Sequence, residues 1–186
     1  MAQIVVDNCT LVNFAAVGQL SLLRDTLRDR GCWTQAIEYE CKRSSAYYPS
    51  LSQVLNGGWL GEAIELDSDK AIEQVENVRR ALSNPRSKPT ENLGEAEAIY
   101  AISAMPALAG AILLTDDTPA ADHARFKGIH VMHSMHLYLR LTPSAISGAQ
   151  RRMTCLFRCG MQGEGSMCLL PTVKSVPRRR TSRRTA

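Results

Sequence analysis

The sequence lacks any apolar run of the ~18–20 residues that a bilayer span requires. It lacks the signature of a secretory leader as well: MAQIVVDNC has no basic start, no long apolar core and no small-residue cleavage site. A cytoplasmic protein is expected. No internal repeat is visible. A disulfide framework is missing despite six cysteines. Cys9, Cys32 and Cys41 sit within apolar, periodic segments, where a thiol packs as a small hydrophobe. Cys155, Cys159 and Cys168 are spaced too loosely, and are too few, for a structural zinc site. Reduced, unpaired thiols are expected.

What is present is uneven in charge. The chain of 186 residues carries a net +4, but residues 151–186 hold nine Lys and Arg against one acid, Glu164. That stretch is therefore +8, and residues 1–150 are −4. Strand and helix periodicity fades from about Ser147, and PRRRTSRRTA at the end is low-complexity and basic. One folded domain over 1–146 and a disordered basic tail over 147–186 are expected.

Within the domain, short β-branched runs alternate with helical patterns. Gln3–Val6 reads as a strand ending at Asp7. Leu11, Phe14, Leu20, Leu23 and Leu27 then recur at helical spacing, with Gly18 as a break. Cys32-Trp33-Thr34 reads as a brief strand leading into a helix through Ile37 and Glu40. Residues 44–62 show no dominant period. Asp69–Leu82 is an amphipathic helix, Asn84–Thr90 a loop, and Glu95–Met105 an alanine-rich helix. Ala111–Leu114 is a buried strand stopping at Thr115-Asp116-Asp117. A helix through Ala120 and Phe126, then a strand Ile129–Val131, complete the pattern. Such alternation implies an α/β sandwich with a mostly parallel sheet flanked by helices.

The acids fall where chemistry collects in such folds. Asp7 and the Asp116/Asp117 pair directly follow apolar strands, and ligands of open parallel sheets lie beyond the strands' carboxyl ends. Glu40 lies on the helix after the second strand, and Glu95 and Glu97 open another helix. Clustered carboxylates repel one another unless a hard cation such as Mg²⁺ or Mn²⁺ lies among them. Such an ion activates water and stabilises a phosphate under in-line attack. The bland alternative, ordinary strand-end and helix-start acids, is compatible with the same spacing.

Four segments resemble the PIN domain family in the family's order over about residues 3–140. IVVDNCTLVNFAAVGQLSLL is similar to its opening strand, terminal Asp and Leu-rich helix pair. TQAIEYECKRS is similar to its second acidic segment. LGEAEAIYAISA resembles the GEAEA helix of one branch. AILLTDDTPAADHARFKGIHV resembles its fourth strand, acidic turn, helix and final strand. The resemblance implies a three-layer PIN-like sandwich and a metal-dependent ribonuclease. It implies Asp7, Glu40, Glu97 and Asp116 as the site, with Glu95 and Asp117 as alternative ligands to Mg²⁺ or Mn²⁺. It further implies RNA as substrate, a toxin–antitoxin context with a cognate antitoxin, and a homodimer. The apolar face of Leu11, Phe14 and Leu22 exceeds what a short helix pair needs, and this also suggests a dimer. Cys9 departs from the family, which has Ser, Thr or Asn two places after the first Asp, and a catalytically decayed binding module is the alternative. A receiver-like phosphoacceptor would need a paired acid after the first strand and a Lys after the last, and both are missing.

Smaller features have bland readings. HVMHSMH spaces His130, His133 and His136 closely but without cysteine partners, so solvated or capping roles are expected. Tyr47, Tyr48 and Trp59 could stack on bases, but core or contact anchoring is the commoner use. The Arg-rich tail could meet a phosphate backbone.

Overall fold

A computed structural model describes residues 1–83 and 91–141 of the chain. The 84–90 loop, the 147–186 tail and Cys155, Cys159 and Cys168 lie outside the described residues.

Four parallel strands form the centre: β1 (Ile4–Val6), β2 (Gly31–Cys32), β3 (Ile112–Leu114) and β4 (His130–Met132), in the spatial order β2-β1-β3-β4. Val5 lies opposite Cys32 on one side and Leu113 on the other, and Leu113 opposite Val131. Parallel neighbours require crossovers, and helices on both sides bury the sheet, which is why β1 and β3 read as continuous apolar runs. The fold is α/β, consistent with a PIN-like three-layer sandwich.

Eight α-helices accompany the strands among the described residues. They are α1 (Asn8–Ala16), α2 (Leu20–Leu27), α3 (Gln35–Ser44), α4 (Ser52–Leu55), α5 (Asp69–Leu82), α6 (Leu93–Ala104), α7 (Thr118–Phe126) and α8 (Ser134–Leu141). None is long and apolar enough to cross a membrane. Gly18, with φ +69°, makes the break between α1 and α2 that an L side chain would resist. Ser68 starts α5 by accepting from the Ala71 amide at 3.2 Å.

Three expectations need correction. The second strand is Gly31–Cys32, not Cys32–Thr34, because Thr34 bridges Ile64 outside the sheet and stands at the position before α3. The last strand is shifted one residue, to His130–Met132. Leu11 and Phe14 do not form a surplus face: both are fully buried, and the Phe14 ring meets Tyr138 of α8 edge-on at 6.3 Å. Leu22 of the same expected face is partly buried against the core, so the core, with α8 at Phe14, accounts for this apolar face, which therefore does not bear on a dimer either way.

Candidate active site

β1 lies between β2 and β3, so the chain leaves β1 to one side and returns on the other. This is the switch point where the crevice of a parallel sheet opens. The residues that follow β1 and β3 line it.

Asp7 is at the bottom, only 1% exposed. Its amide bonds Leu114 O at 3.0 Å, which ties the end of β1 to the end of β3. Its Oδ2 accepts from the Thr115 hydroxyl at 2.7 Å and the Cys9 thiol at 2.6 Å. Its Oδ1 is buried with no hydrogen-bond partner. Burial dominates and pushes the Asp7 carboxyl above its ordinary range, despite the two donors. An orphaned buried carboxylate oxygen is costly unless something else fills the position.

Two further carboxyls respond to the same field. Burial, then the negative charge of Asp7, pushes Glu40 up to about 7. Burial, then Asp7 and Glu40, pushes Glu95 up to about 9, with Asp117 adding to it. Gly94 makes room for this grouping: a Cβ there would lie 3.0 Å from Ile37 Cγ1 and 3.2 Å from both Glu40 carboxylate oxygens. That is a local reason for glycine in LGEAEA.

The other two expected ligands are engaged elsewhere. Glu97 Oε2 accepts from the Ala36 amide at 3.0 Å, capping the first turn of α3 where Thr34 makes no side-chain cap. Asp116 holds the start of α8. Its Oδ1 accepts from the Ser134 amide at 2.8 Å, and its Oδ2 from Asn13 Nδ2 at 2.7 Å and from the Ser134 hydroxyl. Asp117 caps α7 through one oxygen, Oδ1 to the Ala120 amide at 2.7 Å, while its charge reaches Asp7 and Glu95. Asp7, Glu40, Glu95 and Asp117 thus share one electrostatic field, in which Glu97 also acts on Glu40, while Glu97 and Asp116 are hydrogen-bonded into helix starts.

Cys9 is part of the frame. Its sulfur donates to Asp7 Oδ2 and accepts from the Asp116 amide at 3.2 Å. Burial and the adjacent acids hold its pKa well above the ordinary thiol value, so it stays a neutral donor. It occupies the bonding position a hydroxyl would take, without supplying a ligand for a hard ion. The sequence reading missed Thr115, Asn13 and Ser134. Only Thr115 left a trace, standing between a strand and an acidic pair; Asn13 and Asp116 are 103 residues apart.

The group is all carboxylate oxygen, with one buried oxygen unpartnered, and it therefore fits a hard divalent cation better than a soft one. Among the described residues, no three His, Cys, Asp or Glu side chains are gathered closely enough to ligate one ion as they stand. Carboxyls approach bonding distance when a cation lies between them or when one of them keeps its proton. His130, His133 and His136 form no such group either; His133 stacks edge-on with His136 and bonds Arg125. No family model, curated protein or solved structure matches the chain.

Proposed function

We propose that the chain is a divalent-cation-dependent ribonuclease of PIN type, acting as the toxin of a toxin–antitoxin pair. One observation carries the reading. A buried Asp7 carboxylate at the switch point has an oxygen without a partner, and Glu40 and Glu95 are pushed upward by burial and then by its charge. Asp7, Glu40, Glu95 and Asp117 would hold Mg²⁺ or Mn²⁺. When bound, the ion supplies a more acidic water and neutralises charge on the phosphate. Cys9 and Thr115 fix one Asp7 oxygen and leave the other, buried and without a partner, as the one to meet the ion. The Asp116–Ser134–Asn13 cluster pins α8 against α1 and keeps that side of the crevice closed.

The competing reading is a PIN-like binding module without activity, favoured by Cys9 standing where the family carries a hydroxyl or amide. A Mn²⁺ titration on the purified chain separates the two. Saturating ion should raise stability by RT ln(1 + [L]/Kd), about 2.7 kcal/mol at a hundredfold excess over Kd. Single-stranded RNA should be cut only with the ion present and not by Asp7→Asn. A melting temperature unmoved by Mn²⁺, with RNA left intact, would favour the binding module.

A further inference from the structure

Glu40 and Glu95 of the acidic group, together with Glu91, border a cleft of about 850 Å³, lined also by Asn8, Tyr39, Arg43 and Tyr47. Tyr39 and Arg43 are one turn apart on α3 and so are neighbours on its surface; Glu40 and Arg43 are likewise adjacent. Tyr47 stands in the turn that ends this helix, its amide bonded to Ser44 O at 3.0 Å.

A single exposed tyrosine needs no explanation. Here, however, Tyr39 is 62% and Tyr47 78% exposed, and they are two of the five large apolar side chains left exposed among the described residues. The other three, Met1, Ile72 and Phe126, do not border this cleft. The other two aromatics singled out in sequence, Tyr48 and Trp59, are partly buried against the core.

Arg43 is the one cationic side chain among the described residues bordering the cleft. Its charge acts on Glu40, but no ion pair within 4 Å holds it, so its planar donors remain available. A purely acidic cleft would repel a polyanion. One guanidinium beside the carboxylates gives a phosphate a place to rest. Duplex bases are already stacked on one another, whereas unpaired bases offer free faces to aromatic rings.

We infer that this cleft is a binding subsite for single-stranded RNA, in which Tyr39 and Tyr47 stack bases and Arg43 takes a phosphate next to the cleaved bond. The inference rests on the ribonuclease reading for its ligand, but its test does not depend on cleavage.

The probe is a fluorescein-labelled single-stranded oligoribonucleotide of mixed sequence, compared with the same strand in a duplex. Binding is measured by anisotropy on the full chain carrying Asp7→Asn in Mg²⁺, and on the wild-type chain in EDTA. Tyr39→Ala and Tyr47→Ala should each weaken single-strand binding by about 5- to 100-fold, the range of one lost stacking contact. Tyr39→Phe and Tyr47→Phe should restore it, because a ring is needed and a hydroxyl is not. Arg43→Ala should lower the slope of log K against log salt by about 0.7, one phosphate contact on a single strand. Alanine variants that bind as the parent does, equal binding of the duplex, or no measurable binding would overturn the inference. If ring-dependent binding holds while the wild type never cuts RNA, the subsite stands and the catalytic reading falls. If RNA is cut but binding ignores both rings, the subsite falls alone.

Discussion

Replacing Glu95 by Gln should stabilise the metal-free protein, and by much more at pH 8 than at pH 5. The Glu95 carboxyl is pushed up to about 9 by burial and by Asp7, Glu40 and Asp117, against 4.5 for the free group. An acid whose pKa is raised on folding holds a proton that the unfolded chain has released. The native state then binds more protons than the unfolded state between those two values. Stability therefore falls as pH climbs from about 4.5 towards 9, and levels off beyond. At about 1.4 kcal/mol per unit, the gap between 4.5 and pH 8 sets a ceiling of about 5 kcal/mol, against under ~1 kcal/mol at pH 5. The glutamine keeps the burial cost of a neutral polar group, and Glu40 shares part of the repulsion. A gain of about 2–4 kcal/mol at pH 8 is expected. Urea unfolding of both proteins in EDTA at the two pH values measures it. Mn²⁺ should flatten the wild-type pH slope, because the ion takes the place of the protons. An equal gain at both pH values, or none at pH 8, would refute the reasoning that burial and the neighbouring carboxylates together hold the Glu95 carboxyl protonated in the native crevice.

Four further outcomes follow from the same geometry. Glu97→Gln, which can still accept from the Ala36 amide, should change stability by less than ~1 kcal/mol by urea unfolding and leave most RNA cleavage intact, unlike Glu95→Gln, which should abolish it. Asp116→Asn turns an amide NH₂ towards the Asn13 or Ser134 donors and should cost about 2 kcal/mol by thermal unfolding, with loss of α8 protection in hydrogen exchange. Cys9→Ser should keep the Asp7 contact and full cleavage, whereas Cys9→Ala, which leaves Asp7 Oδ2 with the Thr115 hydroxyl alone and the Asp116 amide without its acceptor, should cost about 1–2 kcal/mol and slow cleavage in the same assay. Phe14→Ala should cost about 3–5 kcal/mol in calorimetry, as a fully buried ring lost from the core, and not merely shift a dimer equilibrium.

Element types were legible in the sequence because they follow from local chemistry. The 3.6-residue period of Asp69–Leu82, with Ser68 before it, specifies a capped amphipathic helix, and its bounds agree with the structure. Ile4–Val6 and Ile112–Leu114 announce buried strands by composition alone, and two such strands ending in acids place Asp7 and the Asp116/Asp117 pair at one edge. Strand ends were less legible: whether Thr34 pairs in the sheet or caps a helix depends on α3 and Ile64, which lie outside any local window.

Which acids face the crevice was decided by tertiary structure. Glu95 and Glu97 are two residues apart on one helix and so point in directions about 200° apart around its axis. Only the position of α3 determines that Glu97 meets the Ala36 amide while Glu95 is buried in the field of Asp7 and Glu40. Asp116 and Asp117 are likewise neighbours in sequence, but Asp116 is held between Ser134 of α8 and Asn13 of α1. The sequence by itself determined that carboxylates collect at the strand ends, since composition and periodicity are local. The assignment of each carboxylate, as crevice group or helix cap, depends on donors that come from other elements, and only the packed chain brings those donors within hydrogen-bonding reach.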